Sequence, residues 1–377
     1  AVIRMKDSKE VIPVIQPGAA MEYGLTTAIK KMAIVDKPVV GVLQGHGEPS
    51  IAAITQLRQQ LEVLYQVEPV VLNDSTDIPR YYKSLIMVNP KDTLSTTEFF
   101  KLDNYLNQGG GILVAYDNYS GNLNSGFISS ASNIGIKDWL GTKGIILADQ
   151  LVLDVNCASV GVPQQVGPFS MTTQIQFPYF PIISSFKEHP AVAGVDAILL
   201  PFASALVSTN VDSAQIVTPL ASTSDQSGSA GLPMMIDVQK QWTPADFPMG
   251  SQHVAMAVEM PAGKMVVVGS GSFMVNGEPS IPGMPGQPQQ PEPQQVNPDN
   301  INFVANAIDW MSDDTGLSDL RTKGVTSRPL DPVEDGTKNI IKYANVALPI
   351  LLVLLYGIQR RQSNLRKRQR WLEGKYI

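Results

Sequence analysis

Between Pro38 and Asn118 the chain alternates short, almost wholly apolar runs with segments of helical spacing. That alternation limits the architecture more than any other feature. PVVGVLQ, VEPVVL, SLIMVNP and GILVAYDN read as strands. SIAAITQLRQQLEVLYQ sets Ile51, Ile54, Leu57, Leu61 and Leu64 along one helical face, and STTEFFKLDNYLNQGG reads as a second helix. Ser95 and Glu98 form a capping box at its start, and Gly109-Gly110-Gly111 ends it. Strands that are apolar on both sides need cover on both sides, and crossover helices make such strands parallel. The expected fold class is α/β: a doubly wound, mostly parallel sheet with a mixed, β-rich second part and a C-terminal transmembrane helix.

The rest of the chain divides around that core. Residues 1–36 read as a strand pair (AVIRM, EVIPVIQ) and a helix from Met21 to Val35, the end of a preceding region. The chain starts at Ala1 inside a strand with no initiator Met, so a translocating segment is expected upstream. Residues 37–150 form the α/β core. Residues 151–312 form the β-rich continuation, with LVLDVN, IQFPYFPIISSF, AILLPFASALV, QIVTPLASTS, HVAMAVEM and KMVVVGSGSF as strands and Asn302–Met311 as a helix. The order of KMVVVGSGSF and this helix suggests a return to the first sheet. The Pro/Gln-rich stretch 279–299 reads as a loop and 313–339 as a polar stalk.

From Tyr343 to Ile358 there is no charge, and with Ile340, Ile341 and a snorkelling Lys342 the run matches a bilayer core of ~30 Å. A transmembrane helix is expected over 340–359, with Tyr343, Pro349, Leu351, Leu354 and Tyr356 in it and Arg360 and Arg361 at its edge. The segment 360–377 holds seven Lys or Arg and one Glu, net +6; the overall −6 therefore leaves −12 for the remainder. The positive-inside rule makes that basic end cytoplasmic and the acidic body extracytoplasmic. An acidic body also excludes nucleic acid as a partner class. One cysteine, Cys157, precludes an internal disulfide, and three histidines (His46, His189, His253) make a zinc site improbable.

Ligands of open α/β sheets bind beyond the carboxyl ends of the strands. Gly45, His46, Gly47 and Glu48 lie there, as do Asn89, Asp117, Asn118, Ser270 and Ser272. Amides at the helix start after Gly45-His46-Gly47-Glu48 could hold an anion. The plainer alternative is that the glycines permit a turn and Glu48 suits a helix N-terminus. Neither a phosphate loop nor GxSxG is present. No catalytic residue, metal or cofactor is assigned.

Several pieces together resemble the GldG family, an auxiliary, gliding-motility-associated component of bacterial ABC-type transport systems. They are EYGLTTAIKKM leading to KPVVGVLQGHGEPS, IPRYYKSLIMVNPKDTLSTTEFFKLDNYLNQGGGILVAYDN, FKEHPAVAGVDAILLPFASAL, KMVVVGSGSFMVN with NFVANAIDW, and SRPLDP before the closing apolar run. The family pattern GDSDF stands here as Gly269-Ser270-Gly271-Ser272-Phe273, without either acid. That argues against carboxylate or metal chemistry at this position. The resemblance implies a flavodoxin- or glutamine-amidotransferase-like fold in a non-catalytic, membrane-anchored accessory subunit in the bacterial cytoplasmic membrane. Its periplasmic body would bind a partner or cargo beside a permease subunit and a cytoplasmic ATPase subunit, with membrane lipid around the anchor and a homodimer within the complex. Two alternatives stay open: a solute-binding module handing a small ligand such as a sugar to the permease, and a periplasmic hydrolase or amidotransferase relative using His46, Glu48 and Asp117.

Overall fold

In the computed structural model, the described residues are 2–5, 8–11, 25, 29, 37–122, 126–166, 169–209, 214–278, 293–313 and 335–372. Of the expected helix over 21–35 only Leu25 and Ile29 are described, both helical, and most of the Pro/Gln-rich stretch and most of the stalk lie outside the described residues. The chain divides into two compact units, Ala1–Thr326 and Ser327–Ile377.

The first unit opens with a hairpin of β1 (Val2–Met5) and β2 (Ser8–Val11). The core begins with β3 (Val39–Gln44), followed by a 3-10 turn (Ile51–Ile54) and α1 (Thr55–Leu61). Next come β4 (Gln66–Val71), β5 (Tyr82–Val88), α2 (Thr96–Asn107) and β6 (Gly111–Ala115). The second stretch carries β7 (Tyr119–Asn122), β8 (Phe127–Ser130), α3 (Ile136–Thr142), β9 (Ile145–Asp154), β10 (Cys157–Val166) and β11 (Phe169–Ile183). It continues with β12 (Ser185–Phe186), β13 (Ile198–Leu199), β14 (Ser204–Ser208), β15 (Ile216–Ser222), β16 (Ser227–Gly231) and β17 (Met234–Met235). The unit closes with β18 (His253–Glu259), β19 (Lys264–Val268) and α4 (Pro298–Ser312).

Eight strands form the central sheet in the order β12-β15-β18-β19-β6-β5-β3-β4. The five from β19 to β4 run parallel. β18, β15 and β12 then extend the sheet antiparallel. The fold is therefore a mixed α/β sheet rather than a mostly parallel one throughout. The cause is local: the connection Met260–Gly263 between β18 and β19 is too short for a crossover, so it forces an antiparallel hairpin. β19 does return to the first sheet, beside β6, as the sequence suggested.

Each face of the sheet carries its own core. On one, Val40, Val42, Ile86, Leu113 and Val266 pack with Leu57 and Leu61 of α1 and Phe303, Val304 and Ala307 of α4. On the other, Leu85, Met87, Ile112, Val114 and Val267 pack with Leu102 and Leu106 of α2 and Trp139 and Leu140 of α3. A third cluster beyond the sheet gathers Phe177, Tyr179, Phe202 and Phe247. Burying both faces of a sheet at roughly 25 cal/mol per Å² is the main favourable term in such a fold.

The helix expected over 50–66 is shorter than its apolar periodicity suggested, because Gln66 is already paired in β4. β4 is also a half-exposed edge rather than a buried strand. It tolerates Pro69, as edges do.

In the second unit, α5 (Asp335–Leu372) is one helix with Pro349 inside it. By length and composition, Lys342–Gln369 is able to cross a membrane. Tyr343, Leu351, Leu354 and Tyr356 are all exposed on it. The basic segment continues the helix as far as Leu372; residues 373–377 lie outside the described set.

Candidate functional site

The loop after β3 turns sharply, and its two glycines are needed for that. Gly45 has φ +119° and Gly47 φ +73°, both in the region that favours glycine. A Cβ on Gly47 would also sit 3.1 Å from Lys91 Cβ. The His46 amide donates to Glu48 Oε2 at 2.6 Å, so Glu48 closes the turn on itself. The His46 ring is buried, with Nε2 3.2 Å from the Glu98 carboxylate. Glu98 also accepts from the Ser95 amide at 2.7 Å, while Ser95 Oγ accepts from the Glu98 amide at 3.1 Å. One carboxylate thus closes the capping box of α2 and faces the histidine. His46 Nδ1 is buried without a hydrogen bond, its nearest acid oxygen being Glu48 Oε1 at 3.9 Å.

The expected anion position after this loop is filled from within the chain. Ser50 donates through its amide to Glu278 Oε1 at 2.9 Å and through its hydroxyl to Glu278 Oε2 at 2.7 Å. Ser50 leads into the four-residue 3-10 turn Ile51–Ile54, not into the start of an α-helix.

The second cluster centres on Asp117. Gly271 N donates to Asp117 Oδ1 at 2.6 Å, and Asn89 Nδ2 donates to Oδ2 at 2.6 Å. Lys91 Nζ donates to Asn89 Oδ1 at 2.9 Å. Burial pushes the Asp117 carboxyl above its ordinary pKa, against the opposing pull of the Gly271 amide, the Lys91 charge, the Ser272 amide and Asn89. Asn89 sits at φ +47°, which a short amide side chain tolerates. Gly271 has no substitute here: a Cβ would fall 2.6 Å from Asn89 Cγ.

The turn after β5 joins the two clusters. Asn89 reaches Asp117, while the amides of Lys91 and Asp92 donate to the His46 carbonyl at 2.7 and 2.9 Å. So Gly45 to Glu48, Asn89, Asp117 and the 271–272 backbone are brought together. Asn118 and Ser270 point elsewhere. Asn118 Nδ2 donates to Ala148 O and Asp149 Oδ1, and Ser270 Oγ donates to Pro201 O. His46, Glu48 and Asp117 do not share a set of hydrogen bonds: the histidine faces Glu98, and Asp117 faces Asn89 and Gly271. His189 and His253 lie apart, His189 accepting from Ala191 N and His253 Nδ1 lying 2.8 Å from Ser222 Oγ. Sequence reasoning missed Lys91, Gly271 and Glu278 as members of the site. Glu98 was legible as a cap, but its pairing with His46 was not.

Fold and strand-end geometry together define a mixed α/β body whose strand-end polar groups bond mainly to one another. The family model described as ABC-type uncharacterized transport system, an auxiliary component, matches residues 37–307, and the chain belongs to that family. It is an auxiliary component of an ABC-type transport system, which implies association with transporter subunits. No curated protein matches significantly. Among solved structures, the chain is similar to the mmIFT52 N-terminal domain, with 16% identity, 63% of this chain and 88% of that one covered, and a TM-score of 0.41. It is also similar to a ThuA-like protein from Parabacteroides merdae, with 12% identity, coverage of 80% and 96%, and a TM-score of 0.39. A third is the exo-beta-1,4-mannosidase Op5Man5 from Opitutaceae bacterium strain TAV5, with 14% identity, coverage of 68% and 36%, and a TM-score of 0.29.

Proposed function

We propose that this chain is a non-catalytic, membrane-anchored subunit of GldG type, associated in some bacteria with gliding motility. Its acidic α/β body stands on the periplasmic side of the bacterial inner membrane and binds a partner or cargo beside the permease. The carrying observation is the combination of the family match over the body with an apolar, exposed helix that ends in a basic cluster. A helix with exposed Leu348, Leu351, Leu352, Leu354 and Leu355 needs lipid or protein around it. The Lys and Arg beyond it favour a cytoplasmic C-terminus.

The parallel strand order β4-β3-β5-β6-β19 supports the doubly wound, flavodoxin-like reading of the core. Two observations favour a scaffold over a reacting crevice. Asp117 is engaged by Asn89 and Gly271, and the Ser50 donors are engaged by Glu278. A hydrolase using His46, Glu48 and Asp117 would need those groups to converge on a substrate. Energy for transport would come from a cytoplasmic ATPase partner, since the chain carries no Walker A sequence.

The test is affinity purification of the full chain after mild detergent extraction. Permease and ATPase subunits are the expected companions. Recovery of the chain alone overturns the reading, as does a body that an external protease fails to digest on intact spheroplasts yet digests after lysis.

A further inference from the structure

From Val155 to Phe186 the sequence contains no Asp, Glu, Lys, Arg or His, although 16% of the chain is charged. This segment makes a two-stranded ribbon. β10 and β11 pair antiparallel from Ser159↔Gln176 to Val166↔Phe169. Met171, Thr172, Thr173 and Gln174 are exposed one after another. Successive strand residues point to opposite faces, so Met171 on one face of β11 and Thr172 and Gln174 on the other are exposed. β13 meets β11 only at Ile182 and Ile183. From Phe169 to Gln176, β11 therefore has a strand neighbour on one side alone among the described residues.

A lone two-stranded ribbon is marginal in water. Open sheet edges are normally protected by charge, Lys above all, and this one carries no charge. The two edges differ. Pro163 of β10 stands opposite Thr172. Lacking an N–H, proline is tolerated in a strand where that group would face out of the ladder. The main-chain groups of this pair therefore face outward, and the outer edge of β10 is interrupted at Pro163. The outer edge of β11 keeps its donors and acceptors at Thr172 and, by the two-residue alternation, at Gln174 and Gln176.

We propose that the β11 edge from Met171 to Gln176 is an interface whose occupant is the same edge of a second copy, paired antiparallel about a twofold axis. Outside residues 360–377 the chain carries net −12. Two such bodies repel over much of their surface and meet most favourably where charge is absent. A second copy supplies a matching uncharged strand by construction, and a twofold axis closes the assembly at two chains. Thr172 and Gln176 then lie on either side of Gln174, which falls near the axis. The resemblance implies a homodimer without saying which surface closes it; the assignment of this edge is made on the ribbon alone and does not rest on the transporter reading.

The test measures the mass of the full chain in detergent by sedimentation equilibrium. The wild type is expected as a dimer. Gln174→Lys and Gln174→Asp, each alone, place like charges opposite one another and weaken it roughly tenfold or more. The two variants co-expressed restore a mixed dimer, which also shows that both fold. A monomeric wild type, a dimer indifferent to both substitutions, or open-ended oligomers overturn the proposal. So does loss of a co-purifying permease in Gln174→Lys with the mass unchanged, since the edge would then belong to that partner. Failure of permease co-purification alone bears only on the transporter reading.

Discussion

Asp117 joins two loops that are far apart in the chain. It holds the Gly271 amide and the Asn89 side-chain amide, and Asn89 in turn holds Lys91. Because burial raises its folded pKa, the protonated acid suits the folded state. That contribution is complete below the ordinary carboxylate pKa of about 4 and is lost as pH rises through the raised value. Asp117→Asn does not titrate. The stability of the wild type minus that of Asp117→Asn is therefore expected to fall as pH rises from about 4. Denaturant midpoints across pH check this, and a difference that grows with pH contradicts it. The placement of Asn89 and Asp117 at strand ends was legible in the sequence, because each follows an apolar run. Their partners were not, since Gly271 is 154 residues from Asp117 and Glu278 is 228 from Ser50.

Helix α4 shows how one buried polar side chain docks an element. Asn297 caps it by accepting from Asp299 N at 3.0 Å. One turn on, Asn300 is 2% exposed. It accepts from Leu199 N at 2.8 Å and donates to Leu199 O at 2.8 Å and to Phe273 O at 2.7 Å. Replacing it with Ala strands these main-chain groups, each costing ~1–3 kcal/mol when left unsatisfied. Asn300→Ala is expected to destabilise the folded body by about 2–4 kcal/mol, against about 1 kcal/mol for removal of an ordinary helix cap such as Asn297. Thermal or denaturant unfolding of the two variants side by side decides it. Equal losses would mean that Asn300 holds α4 no more strongly than the Asn297 cap does. The apolar half of α4, with Phe303, Val304 and Ala307, was legible from its spacing. That spacing begins at Asn302, past the true start at Pro298, because a Pro-Asp-Asn opening reads as loop until its cap is seen.

For the whole molecule the decisive element is α5. Its apolar residues are exposed along Tyr343–Ile358. Arg at the centre of a membrane helix costs about 2.5–3.5 kcal/mol on insertion scales. Leu351→Arg with Leu354→Arg is thus expected to move the chain from the carbonate-resistant membrane fraction to the supernatant. Gln359→Arg, beside Arg360, is expected to stay in the membrane fraction. Retention of the double variant would count against lipid as the surroundings of this helix.

Composition and local period were enough to determine the alternating strands and helices of residues 37–118, the capping box at Ser95 and Glu98, and the one apolar helix at the C-terminal end. Each depends on residues a few positions apart, and the hydrophobic effect and main-chain hydrogen bonding act on those patterns directly. Tertiary structure alone decided three things. It set the antiparallel extension of the sheet through β18, β15 and β12, the use of Glu278 to engage the amide and hydroxyl of Ser50, and the open edge of β11 from Phe169 to Gln176. These depend on which distant segments meet, and no local spacing records the loop closures that bring them together.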